Sequence, residues 1–246
     1  FALTIDQEGT SYRISGIEWD RSSQSTTQIH TERTYDRRRL AAIAADLTFR
    51  LFRPLLVIEA SQESRLTLRI RGGEFLPHDP SLMPLTAGEF ISPYIRHYGK
   101  KREFLRVQQV PWTAIRVEQV DRGFVQGSVI SSFGAPLAAK RRRTELLGMK
   151  VNPEWPSTKL KVIPRGKPQS PMAGYRVEVF NRPETKEDKV DDRLKLRTDR
   201  NGEVTIPADP AHALQYLVVY SGKAPLAKAP LIPGQEPKLV LSAPDD

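Results

Sequence analysis

The stretch Leu194-Lys195-Leu196-Arg197-Thr198-Asp199-Arg200-Asn201-Gly202-Glu203-Val204-Thr205-Ile206 reads as strand, turn, strand. Leu194 to Thr198 is a strand, Asp199 to Gly202 a turn, and Val204 and Ile206 resume the strand. The Asn-Gly pair predicts a type I′ turn, whose two central residues both need positive φ. Outward from this stretch the same grammar repeats. Lys159 to Ile163 is a strand, and Tyr175, Val177 and Val179 alternate with Arg176 and Glu178, the period of a half-buried strand. Leu217 to Tyr220 and Lys238 to Leu241 bring the count between Ser157 and Ala243 to about six or seven strands, the number of a β-sandwich.

Upstream, Gly134 to Pro156 shows little apolar periodicity and carries Lys140-Arg141-Arg142-Arg143. It is read as a basic linker, with Leu146-Leu147 anchoring part of it on a neighbouring domain. Before it, Glu89 to Ser92, Glu103 to Val110, Thr113 to Val120 and Gly123 to Ser131 are short β segments, with a tight turn at Asp121-Arg122-Gly123. Four or five strands in so short a span predict a small barrel, SH3-like or OB-like.

The N-terminal part reads as strand, strand, helix, strand, strand. Tyr12 to Trp19 and Gln28 to Thr34 form a hairpin with a polar tip. Leu40, Ile43, Ala44, Leu47 and Leu51 fall on one helical face. Asp36 or Thr34 caps the helix, and Pro54 stops it. Leu55 to Ala60 and Leu66 to Ile70 are strands that need a cover, and the helix is expected to supply it. For that reason Arg37, Arg38, Arg39, Arg50 and Arg53 are not read as a membrane-surface face.

Composition agrees with many short strands. The 246 residues include 20 prolines against 15 glycines and no cysteine. Disulfides, thiolate metal sites and a cysteine nucleophile are excluded. No apolar run approaches a membrane span, so no transmembrane segment is expected. Phe1 is a processed N-terminus or a cut, which leaves a removed export signal open.

Pro171-Met172-Ala173-Gly174-Tyr175-Arg176-Val177, followed by Thr198-Asp199-Arg200-Asn201-Gly202-Glu203-Val204, resembles the repeated pattern of transthyretin-like domains. These include the carboxypeptidase-regulatory-like and collagen-adhesin B-type modules. Met172 stands where that pattern has leucine. The resemblance implies an immunoglobulin-like sandwich over the last third of the chain and is nearly silent on function. As a whole the chain is similar to uncharacterised exported multidomain proteins of planctomycete bacteria, which implies a periplasmic or extracellular setting and no activity. The expected organisation is mostly β: a small α+β domain over 1–71, a β-barrel-like domain over 72–133, the basic linker over 134–156 and a transthyretin-like sandwich over 157–246.

Chemical signatures are sparse. No Gly-x-Ser-x-Gly elbow, phosphate loop, dinucleotide fingerprint or His-Glu-x-x-His helix is present, and no catalytic residue or cofactor is assigned. His30, His78, His97 and His212 leave a serine triad open, since triads are recognised by geometry. His78, Asp79 and His97 fall short of a zinc set, and Asp199 to Gly202, even with Asp191 and Asp192, is read as a turn rather than a calcium loop. Glu187-Asp188 and Asp191-Asp192 are solvated acids. The positive hint is basic. The net charge is +9, Lys140, Arg141, Arg142 and Arg143 suit phosphates, and Tyr94, His97 and Tyr98 precede Lys100, Lys101 and Arg102, a mix suited to stacking and backbone binding. The leading expectation is a non-enzymatic structural or interaction module whose partner is a protein or cell-envelope component. The alternative is an anionic polymer, nucleic acid or acidic polysaccharide, bound through Lys100, Lys101, Arg102 and Lys140 to Arg143. An enzyme with an unrecognised site is the third reading.

Overall fold

The computed structural model describes residues 1–62, 64–75, 79, 82–134, 137, 142–183 and 193–244. It divides into two compact units, one of 1–110, 116–128 and 137–150, the other of 111–115, 129–136 and 151–246. Its class is mostly β.

The first unit opens with an antiparallel sheet of β1 (Ala2–Glu8), β2 (Ser11–Ile17) and β5 (His30–Thr34), in the order β1-β2-β5. The two-residue strands β3 (Trp19–Asp20) and β4 (Ser25–Thr26) pair with each other between β2 and β5. A 3-10 turn over Arg37–Arg39 leads into α1 (Leu40–Leu51). The Asp36 carboxylate accepts the Arg38 N–H at 2.9 Å, so the expected Asp36 cap sits on the 3-10 turn that leads into the helix, and α1 itself starts after Arg39 with no side-chain cap. Leu47 and Leu51 pack on Ile14 with Leu40, Ile43 and Ala44 beside them. Gly16 permits the approach: a Cβ there would lie 3.0 Å from Leu47 and from Leu51. The helix thus packs on β2 and β5, and the expectation that it covers Leu55 to Ala60 and Leu66 to Ile70 is corrected. Its apolar stripe shows that it is covered, not by which sheet.

Those two strands belong to a barrel. β6 (Leu55–Gln62), β7 (Arg65–Ile70), β8 (Phe90–Tyr98), β9 (Phe104–Gln109), β10 (Thr113–Asp121), β11 (Phe124–Ser131) and β12 (Thr144–Lys150) form one sheet in the order β10-β11-β7-β6-β12-β8-β9. Pairing of β8 back onto β10 closes six of them into a barrel, with β9 left on the edge of β8. Leu56, Ile58, Leu66, Leu68, Ile70, Ile91, Ile115, Val117 and Val125 are buried. Two boundaries are thereby corrected. Strands on either side of residue 71 pair with one another, Phe124 lying opposite Arg69. The C-terminal part of the expected linker is β12, which bridges β6 and β8. Arg122 and Gly123 have φ of 44° and 84°, so the turn joining β10 to β11 has the two positive φ values that the sequence reading assigned elsewhere.

The second unit is a sandwich of two sheets. β13 (Ser157–Pro164), β16 (Glu203–Pro207) and β19 (Lys238–Ala243) form one, in the order β16-β13-β19 with β13 and β19 parallel. β14 (Arg176–Phe180), β15 (Leu194–Arg197), β17 (Gln215–Ser221) and β18 (Ala224–Leu231) form the other, in the order β15-β14-β17-β18. Leu160, Val162, Val177, Val179, Ile206, Leu217, Val219 and Leu241 fill the space between them. Only Gly202 has positive φ between Asp199 and Glu203, so the expected type I′ turn is corrected. The Gly202 N–H donates to the Asp199 carbonyl at 2.9 Å and the Asp199 N–H to the Glu203 carbonyl at 2.8 Å. That is the pattern of a type I turn followed by a left-handed glycine. β15 and β16 lie in different sheets, so this turn passes the chain from one sheet to the other.

Candidate functional site

β8 and β12 run antiparallel, with Thr144 opposite His97 and Glu145 opposite Arg96. The end of β8 and the start of β12 are therefore neighbours, and two basic runs far apart in sequence come together. The Tyr98 N–H donates to the Arg143 carbonyl at 2.9 Å, joining the two directly. The turn from β8 to β9 is tight. The Gly99 N–H donates to the Glu103 carbonyl, and the Arg102 N–H to the Gly99 carbonyl. The Glu103 carboxylate accepts the Lys101 N–H at 2.8 Å and lies over Gly99, where a Cβ would run into it.

Between these segments lies a cleft of about 670 Å³ lined by Tyr98, Gly99, Lys100, Arg102, Arg142, Arg143, Thr144 and Glu145. That volume is in the range of a small-molecule pocket. Four cations face one carboxylate, and that carboxylate is already engaged. Glu145 accepts Arg71 Nη2 at 2.8 Å and the Tyr98 hydroxyl at 2.7 Å, with Arg96 Nη1 at 3.9 Å. Burial, followed by this bond to Glu145, raises the Tyr98 phenol above its ordinary pKa, so it stays protonated and donating. Among the described residues no ion pair engages Lys100, Arg102, Arg142 or Arg143, and all four are exposed. Unpaired cations around one concavity sum their potentials there and attract anions.

Arg102 and Arg143 also have φ of 60° and 69°. Left-handed backbone at a residue other than glycine costs about 1 kcal/mol or more, and such positions cluster at functional sites. No protein-family model matches the chain, and no curated protein does.

Of the predicted anion-binding residues, Lys100, Arg102, Arg142 and Arg143 converge on the cleft. Lys101 is in the same turn but outside the lining. Lys140 and Arg141 lie outside the described residues. So do His78, Glu187, Asp188, Asp191 and Asp192. His97 sits on β8 and His30 on β5, while His212 belongs to the second unit, where it meets the Asp209 carboxylate at 3.0 Å. Among the described residues no three histidine or acidic side chains gather as metal ligands would. The Asp199 carboxylate is used by its own turn, accepting the Asn201 and Glu203 N–H groups at 2.8 Å. The Glu203 bond, ahead of the Asn201 one, holds its pKa below the ordinary aspartate value.

Thr144, Glu145 and Arg71 were not legible as parts of the site. Thr144 and Glu145 adjoin the Arg run, which was the available signal. Arg71 follows β7, and only the strand order brings it to Glu145.

Proposed function

We propose that this chain is a non-enzymatic binding module that takes an anionic polymer into the cleft between the β8–β9 turn and the start of β12. The observation that carries the reading is the convergence of Lys100, Arg102, Arg142 and Arg143 on one concavity, none of them in an ion pair among the described residues, since the one carboxylate of the lining, Glu145, is held by Arg71 and Tyr98. In the same reading the second unit is a transthyretin-like sandwich serving as a rigid framework. The protein is then an exported bacterial one that holds a nucleic acid or an acidic envelope polysaccharide. The seven strands in sheets of three and four support that resemblance.

The test is binding of fluorescent single-stranded DNA, with heparin as competitor, across a salt series. Four neutralised phosphates predict a slope of log affinity on log salt of about −3. In the double variant Lys100→Glu, Arg142→Glu the slope should fall to roughly half or less, because two of those four contacts are lost. Absence of binding to either polymer at moderate salt would refute the reading and leave a protein-interaction module.

A further inference from the structure

We infer that the polymer is a single-stranded nucleic acid, held by its phosphates in the cleft and by one base stacked on Phe104. This rests on the anion-binding reading above and narrows it. Phe104 opens β9, with its Cα opposite that of Tyr98, two residues after the cleft cation Arg102. The Arg96 guanidinium carbon lies 5.4 Å from the Tyr98 ring centroid and 5.2 Å from that of Phe104. Arg96 therefore bridges the two rings. Tyr98 is held in turn by its hydroxyl bond to Glu145, and Glu145 by Arg71. The result is a braced stack beside the cations, and its last member, Phe104, remains 39% exposed.

A part-exposed aromatic ring two residues along the chain from an unpaired cleft cation is the pairing of groups that single strands use, phosphates going to the charges and bases to the rings. The alternatives fit less well. A sulfated or uronic polysaccharide presents charge but no π face, so it would use the cleft and leave Phe104 idle. A duplex keeps its base faces stacked within itself.

The experiment compares three probes on the full chain by fluorescence anisotropy: an oligothymidylate, an abasic oligonucleotide of equal length and charge, and heparin. Stacking of one base is expected to make the oligothymidylate bind about 5- to 150-fold more tightly than the abasic strand. The variant Phe104→Leu should lose that preference while keeping its affinity for the abasic strand and for heparin. The wild-type comparison needs no variant to fold. Equal affinity for the two strands, with steep salt dependence in both, would overturn the stacked base and leave the anion-binding reading standing. Binding of heparin as tight as that of oligothymidylate would overturn the choice of nucleic acid. Failure of every polyanion to bind would overturn both.

Discussion

Arg53 follows α1 and closes an ion pair with Glu18, which lies between β2 and β3. Its Nε donates to Glu18 Oε2 at 2.6 Å and its N–H to Oε1 at 3.3 Å. The two side chains are only 12% and 8% exposed. Both charges have left water, so each depends on the other. Replacing Arg53 with Met should cost about 3–5 kcal/mol, since it strands the carboxylate, whereas Glu18→Gln retains an acceptor and should cost less. Urea denaturation of the two variants checks the order. Neither residue was legible as a pair, because partners so far apart in sequence are named only by packing. The motif Thr198-Asp199-Arg200-Asn201-Gly202 was legible, and its chemistry proves structural. Thr198 donates to the Met172 carbonyl at 2.6 Å and accepts the Tyr175 N–H. A Cβ on Gly202 would lie 2.7 Å from the Val162 carbonyl oxygen.

Among the elements, α1 and β12 show opposite degrees of legibility. The helix announces itself by period, cap and stop. β12 does not, because Thr-Glu-Leu-Leu-Gly-Met-Lys lacks alternation: Leu146, Leu147, Gly148 and Met149 are all buried. A strand covered on both faces loses the period of two that betrays a half-buried one. Gly148 is the small partner in this packing, as a Cβ there would meet Ile91 Cγ2 at 2.6 Å. Gly148→Ala should therefore cost about 1–3 kcal/mol through overpacking. Adding Ile91→Leu, which removes the γ2 methyl, should recover part of that loss, and a double-mutant cycle in urea reads the coupling. Additive costs would show that the contact is relieved elsewhere. β18 was missed for another reason. Its Pro225 and Pro230 argue against a strand, yet it lies at the edge of its sheet, where a missing N–H is tolerated.

At the scale of the molecule, ligand binding and folding are linked. A polymer that binds only the native first unit stabilises it by about 2.7 kcal/mol at a hundred times its Kd. Oligothymidylate should therefore raise the unfolding midpoint of the wild type, an effect that added salt removes and that the Lys100→Glu, Arg142→Glu variant lacks. An unchanged midpoint at saturating ligand would show that the polymer binds the unfolded chain equally well. The division into units was the least legible property. Expected boundaries followed changes in composition, while the barrel draws its strands from three of the expected segments. By itself the sequence determined the mostly β class, the one helix and its apolar face, six of the seven sandwich strands and the two basic runs, because each is written in local period, turn chemistry or charge. Only the tertiary structure decided that β6, β7 and β12 share a barrel with the middle strands, and that Arg142 and Arg143 stand beside Lys100 and Arg102. Strand pairing is a long-range choice made by the burial of apolar faces, and residues adjacent along the chain carry no record of which distant strand will cover them.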